Sequence, residues 1–110
     1  MVGKLTKKDR ILAKQCEKAV KKVHPQAAIT VFGSRCRGDY HPESDLDLLI
    51  LTEYKLSPVE EEQIDLALYE IELETGIVIC PILYDRSTWE SSQYQVTPLA
   101  QNITREGITL

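Results

Sequence analysis

The feature that most restricts the fold is an alternation of acidic and apolar residues near the middle of the chain. Asp45 and Asp47 alternate with leucines at the start of an apolar run that ends at Thr52. Successive side chains of a β-strand point to opposite faces, so the pattern predicts a strand with both carboxylates on one face. Two adjacent carboxylates repel each other unless a cation lies between them. Their hard oxygens suit Mg²⁺ or Mn²⁺, which proteins commonly hold with one or two carboxylates and substrate phosphates.

A glycine and a serine follow the preceding predicted strand, Ala28–Phe32, which is rich in β-branched residues. Gly33 lets the backbone pass close to a ligand, and the next residues can begin a helix whose free N–H groups attract phosphate oxygens. Ser34 adds a hydroxyl donor, and Arg35 and Arg37 either add positive charge nearby or are solvated. If the two strands are neighbours, the bend and the carboxylates meet at one end of the sheet. Phosphoryl and nucleotidyl transfer need that arrangement.

The rest of the chain alternates helical and strand patterns, bounded by capping residues, Gly and Pro. In chain order, the predicted elements are a helix with the apolar stripe Leu12, Cys16, Ala19, Val20 and Val23; strands Ala28–Phe32 and Leu46–Thr52; a helix from the Ser57-Pro58-Val59-Glu60 capping box to Gly76; a strand from Ile77 to Tyr84; a short helix capped by Ser87 and Glu90; and a helix from Thr97-Pro98 to near Gly107. Pro81 favours an edge position or a bulge in the third strand. This order predicts a single α/β (α+β) domain, residues 1–110, with a small mixed β-sheet flanked by helices.

Composition restricts the class of protein. Hydrophobic residues make up 43% and charged residues 27% of the 110 residues, as in an ordinary globular protein. Neither a membrane span nor a signal peptide is expected, and three cysteines without a C-x-x-C pair favour the reducing cytoplasm. Eight of the thirteen basic residues lie between Lys4 and Lys22. No aromatic residues interleave with them, which favours a solvated helix face over a nucleic-acid site.

The segment around the two carboxylates is similar to a known family. Phe32-Gly33-Ser34, ten residues, and then Asp45-Leu46-Asp47-Leu48 resemble the signature of the DNA polymerase beta-like nucleotidyltransferase superfamily. The short chain resembles the minimal nucleotidyltransferase branch of that superfamily, and Arg37-Gly38 and Ser44 match that branch. Near the end of the chain, Pro98, Asn102-Ile103 and Arg105-Glu106-Gly107 resemble the tails of some minimal members.

The resemblance implies a nucleotidyltransferase fold and a set of residue roles. Gly33 and Ser34 would hold the nucleotide phosphates, and Asp45 and Asp47 would be the catalytic ligands of Mg²⁺ or Mn²⁺. The reaction would move a nucleoside monophosphate from a nucleoside triphosphate to an acceptor hydroxyl. Minimal members often act with a HEPN-type helical protein, in some cases as the antitoxin that adenylylates it. The oligomeric state stays open between a homo-oligomer and a hetero-oligomer.

One position departs from the family pattern. Active members carry a third carboxylate on a later strand, and by register Cys80 occupies that position here. A neutral thiol is a poor ligand for a hard cation. Asp85 lies an odd number of residues later, on the opposite face of a regular strand. Two functions therefore stay open: a nucleotidyltransferase that acts on a partner, and a catalytically impaired antitoxin or regulatory subunit.

Four further residues each have two interpretations. Cys36 is either redox-sensitive or an ordinary small residue, and His41 either contacts a phosphate or lies exposed in a loop. Trp89 and Tyr94 either stack on a base or pack in a core or against a partner. The sequence favours the structural interpretation in each case.

Overall fold

The computed structural model describes residues 5–37 and 45–110 and confirms the predicted mixed sheet. Its elements are α1 (Lys7–Val23), β1 (Ala28–Phe32), α2 (Ser34–Arg37), β2 (Leu46–Thr52), α3 (Pro58–Thr75), β3 (Ile79–Asp85), α4 (Arg86–Trp89), α5 (Ser92–Gln95), α6 (Pro98–Glu106) and β4 (Ile108–Thr109). The strand order is β3-β2-β1-β4. Strand β1 is antiparallel to β2 and β4, whereas β2 and β3 are parallel.

Alternation along β2 distributes the core between the two faces of the sheet. Leu46, Leu48 and Ile50 belong to the larger apolar core, which α1 and α3 complete. Leu49 packs with residues of α4 and α6 on the other face, among them Trp89. Helices therefore cover both faces, and Asp47, one residue before Leu48, lies on the same face as Leu49.

Side-chain caps are present at the start of both long helices, and those of α3 are the ones predicted. Ser57 Oγ accepts from the backbone N–H of Glu60 at 3.2 Å, and Glu60 Oε1 accepts from the N–H of Ser57 at 3.1 Å. Gly76 ends α3 with a left-handed φ of 74°. The Thr6 side chain caps α1 by accepting from the N–H of Asp9 at 3.1 Å. Local hydrogen bonding therefore fixes where these helices begin.

The third strand and the helix after it differ from the prediction. Strand β3 begins at Ile79 rather than Ile77, and it lies at a sheet edge, where Pro81 is tolerated. The prediction that Ser87 caps the next helix is wrong. Asp85 is the N-cap, because its carboxylate accepts both the backbone N–H of Thr88 and the hydroxyl of Ser87. The short elements α5 and β4 were not predicted, whereas α2 begins directly after Gly33, where the sequence allowed a helix to begin.

Among the described helices, none combines the length and apolar character required of a membrane-spanning segment.

Candidate functional site

The predicted site residues lie together at one end of three neighbouring strands. The last residue of β1, Phe32, pairs with Asp47 near the start of β2. Asp47 also pairs with Cys80 near the start of β3. Because β1 runs antiparallel to β2, the bend that follows β1 at Gly33 lies beside the carboxylates. The predicted juxtaposition of bend and carboxylates is therefore present.

Gly33 is in close contact with Asp47, and only glycine fits there. Its φ of 87° is in the left-handed region, and a Cβ at this position would overlap Asp47 Oδ2. Glycine avoids both the backbone strain and the overlap. Ser34 begins α2 immediately after this bend. The carboxylate of Asp47 and the first residue of α2 consequently lie next to each other.

These residues line a cleft of about 340 Å³ between the sheet and α6. The residues that line it are Phe32, Gly33, Ser34, Asp47, Cys80, Ile82, Leu99, Asn102 and Glu106. Small-molecule sites typically combine apolar walls with a few polar groups, as this cleft does. Its size and lining suit a nucleotide-sized ligand, with polar groups on both the sheet wall and the α6 wall.

The wall formed by α6 contributes residues that sequence reasoning did not assign to the site. Leu99, Asn102 and Glu106 follow each other at i, i+3 and i+7, which places them on one face of the helix. Glu106 is buried. The helical spacing alone could have identified these positions as one face. Nothing in the sequence indicated that this face lies over the carboxylates.

Asp45 lies exposed beside Cys80. The Cys80 thiol donates to Asp45 Oδ2 at 3.3 Å. Cys80 is therefore the residue of β3 that faces the two acids, as expected from the register. Burial, followed by the hydrogen bond to Asp45, raises the pKa of the Cys80 thiol to about 11. It is therefore a neutral thiol near pH 7. Asp85 caps α4 at the far end of β3, away from Asp45 and Asp47.

A hard divalent cation fits the two carboxylates but not the thiol. Asp45 and Asp47 are two residues apart on one strand, and such a pair suits Mg²⁺ or Mn²⁺ when substrate phosphates complete the coordination. Cys80 supplies a protonated sulfur, which such ions bind poorly. Within residues 5–37 and 45–110, no group of three or more His, Cys, Asp or Glu side chains is arranged around a metal position.

Arg35 is neither solvated nor on the surface. Its guanidinium Nη1 donates to Asp9 Oδ1 at 2.6 Å, and both side chains are inaccessible to solvent. The solvated interpretation of Arg35 is therefore wrong, because the side chain turns inward and joins α2 to α1. The side chain of Arg37 lies outside the described residues, as do Gly38, His41 and Ser44.

The structural interpretations of Cys36 and Trp89 are confirmed. Cys36 is buried and donates to the Val31 carbonyl at 3.2 Å, and burial raises its pKa to about 11. Trp89 is buried, with its ring 5.5 Å from that of Tyr84 and 5.8 Å from that of Tyr94. Tyr94 also hydrogen-bonds Tyr84 through its hydroxyl. These aromatic residues form core under α4 and α5.

Comparison with known proteins identifies the family. The model of the nucleotidyltransferase domain family matches residues 13–108. The chain belongs to this family. A protein of Methanocaldococcus jannaschii, provisionally named a protein adenylyltransferase, is 37% identical over 59 residues, which are 54% of this chain and 60% of that protein. The chain therefore spans about 60% of the length of this curated relative.

Two solved structures share the fold of this nucleotidyltransferase domain. A toxin–antitoxin complex with AMP-PNP contains a chain that matches with a TM-score of 0.60 and 19% identity, covering 88% of this chain and 70% of the other. A complex of a tri-AMPylated HEPN toxin of Shewanella oneidensis with an MNT antitoxin matches with a TM-score of 0.56 and 17% identity, covering 91% and 69%. At these identities the likeness establishes the fold.

Proposed function

We propose that this domain binds a nucleoside triphosphate in the cleft and transfers its nucleoside monophosphate to a hydroxyl of a partner protein. The observation that carries the proposal is the close approach of Gly33 to Asp47 beside Ser34, because a phosphate chain bound at the bend would then meet a cation bound by the carboxylate. A relative provisionally named a protein adenylyltransferase supports a protein acceptor and an adenine nucleotide. The partner we propose is a HEPN-type helical protein, as in the MNT–HEPN complex of similar fold.

In this proposal each residue has one role. Gly33 and Ser34 hold the phosphate chain, the first by close backbone approach and the second by its hydroxyl. Asp45 and Asp47 would hold Mg²⁺ or Mn²⁺ and do not carry protons. When bound, the cation neutralises charge on the phosphate oxygens and on the departing pyrophosphate.

The chemical step is a displacement at the α-phosphorus. The acceptor hydroxyl oxygen forms a bond to that phosphorus, the bond to the pyrophosphate oxygen breaks, and the hydroxyl proton is released to solvent. The residues of the cleft contribute by fixing the triphosphate in line with the acceptor, since positioning is a large part of catalysis in such reactions.

A second function, that of a non-catalytic regulatory subunit or antitoxin, is favoured by one observation. Cys80 occupies the position facing Asp45 from β3, where active members carry a third carboxylate. Loss of one such ligand can reduce the rate by orders of magnitude while nucleotide binding is retained. The domain would then bind the nucleotide and a partner without transferring the nucleotide.

Transfer is tested with α-labelled ATP, CTP, GTP and UTP and either Mg²⁺ or Mn²⁺, with and without a HEPN-type protein encoded beside the gene. We expect label on the partner, its loss in Asp45→Asn and Asp47→Asn, and a large rate increase in Cys80→Asp, because a third carboxylate becomes available. Cys80→Ser is the matched control, since it changes the side chain without adding a carboxylate. Label that persists in Asp47→Asn would contradict the assignment of this site.

The two functions give different results in the same experiment. Absence of product with every nucleotide, together with calorimetric binding of a Mg-nucleotide, supports the regulatory subunit. Absence of both product and binding contradicts both functions. Equal rates for Cys80→Asp and Cys80→Ser would show that the absence of a carboxylate at position 80 does not limit the transfer rate.

A further inference from the structure

Helix α3 is apolar on two opposite sides, and only one of them is covered. Its inner side packs in the larger core through Ile64, Leu68 and Ile71. Four large apolar side chains on the other side are 53–68% exposed; they are Val59, Leu66, Tyr69 and Leu73, and we call them the α3 stripe. An apolar side of a helix is normally buried against another element. The stripe is therefore a surface without a cover among the described residues.

The spacing of the α3 stripe is that of a helix-packing seam. Its members are separated by seven, three and four residues, which is the repeat with which one α-helix packs against another. Glu62 occupies the one position of this repeat between Val59 and Leu73 that is not apolar. Exposed apolar residues scattered singly need no explanation, but four in register on one helix mark an interaction surface. The chemistry that fits such a stripe is a second helix with apolar residues in the same repeat.

The charged residues beside the α3 stripe restrict which kind of helix can pack on it. Helix α3 contains seven acidic residues and no basic residue. On the side towards α1, Lys18 and Lys22 line the same groove as Glu70 and Glu74 and balance them. Glu61 and Asp65, both exposed, lie on the flank of α3 that faces away from α1. A second copy of α3 would bring like charges together, whereas a helix with Lys or Arg beside its seam would pair with them.

We propose that the α3 stripe docks an amphipathic helix of another protein, one whose apolar seam is flanked by Lys or Arg. This inference does not rest on the proposed reaction. The stripe lies on α3, which covers the sheet face of Leu48 and Ile50, whereas the cleft lies on the face of Asp47 and Leu49. A partner held on α3 leaves the cleft open to nucleotide and acceptor.

The test uses two synthetic helical peptides with identical Leu and Ile seams, one flanked by Lys and the other by Glu. Each peptide repels its own copies, so that binding to the protein is measured without competing self-association. We expect the Lys peptide to bind one-to-one in fluorescence anisotropy, to bind more weakly at high salt, and to bind at least about tenfold more tightly than the Glu peptide.

Two seam variants and one matched control locate the binding. Leu66→Ser and Leu73→Ser are expected to weaken the Lys peptide about tenfold each. The control is Val96→Ser, because Val96 is an apolar residue that is 70% exposed away from α3. These side chains contact mainly solvent, so circular dichroism should show unchanged folding. The variant Asp65→Lys is expected to reduce the preference for Lys over Glu.

Several results would overturn the proposal. These are the absence of binding by the Lys peptide, equal binding of the two peptides, and binding that Leu66→Ser and Leu73→Ser leave unchanged. A preference that Asp65→Lys leaves unchanged would contradict the role of charge. Sedimentation that finds a dimer of the pure protein, dissociated by Leu73→Ser, would assign the stripe to a second copy instead.

Discussion

Gly33 controls how closely the bend between β1 and α2 approaches the carboxylate of Asp47. We expect Gly33→Ala to abolish binding of Mg-nucleotide, because the new Cβ would displace Asp47 Oδ2 and strain the backbone. The matched control is Gly76→Ala, where φ is also positive but no atom lies within 4 Å of the added carbon. That variant should lose stability and keep nucleotide binding, as measured by calorimetry. Equal loss of binding in both variants would show that backbone strain, not the contact with Asp47, is responsible.

Cys80 places a thiol, rather than a carboxylate, beside Asp45 and Asp47 in the cleft. Its place beside the two acids was predicted from the resemblance to the family, in which a later strand carries a third carboxylate at the corresponding position. Its raised pKa and its hydrogen bond to Asp45 depend on three-dimensional packing, which the sequence does not display. The comparison of Cys80→Asp with Cys80→Ser is therefore the sharpest single-residue test of transfer activity.

The ion pair of Asp9 with Arg35 fastens α2, and with it the bend, to α1. Both side chains are fully buried, and removing one partner of a buried ion pair is strongly destabilising. We expect Asp9→Asn to lower the free energy of unfolding by about 3–5 kcal/mol, measured by urea denaturation. Lys14→Ala, which removes an exposed ion pair with Glu17, should change it by less than about 1 kcal/mol. Similar losses in the two variants would contradict the importance of the buried pair.

The capping box of α3 gives a pH dependence of known sign. Hydrogen bonds from the Ser57 backbone and the Tyr54 hydroxyl lower the pKa of Glu60 below its ordinary value of 4.5. A carboxyl with a lowered folded pKa stabilises the fold above its unfolded pKa, and this contribution is lost as the pH falls through the folded pKa. The melting temperature of Glu60→Gln should therefore lie below that of the wild type at pH 6 and approach it near pH 3. A difference that stays constant between these pH values would contradict the assignment.

Elements with local signals were predictable, and elements defined by distant contacts were not. The capping box at Ser57 and the alternation in β2 each lie within a few residues of sequence. By contrast, β4 consists of two residues that pair with β1, which is too short for any periodicity. Asp85 and Ser87 are both acceptable caps two residues apart, and the length of β3 decides between them. No local pattern could indicate that Asp9 pairs with Arg35, 26 residues away.

The fold separates two surfaces on opposite faces of one sheet. The cleft lies between the sheet and α6, and its α6 wall, which includes Asn102, was not predictable because it depends on how the end of the chain packs over β2. The α3 stripe lies on the other side, beyond the larger core. The proposed nucleotide and the proposed docked helix therefore do not compete for the same surface. For the same reason, Leu66→Ser should leave nucleotide affinity unchanged.

The most direct measurement is calorimetric titration of the four nucleoside triphosphates into the wild type and Asp47→Asn, with and without Mg²⁺ or Mn²⁺. We expect one-to-one binding of at least one nucleotide that requires the divalent cation and is lost in Asp47→Asn. The absence of binding for all four nucleotides, or binding of equal affinity in Asp47→Asn, would contradict a nucleotide site at the Gly33–Asp47 contact.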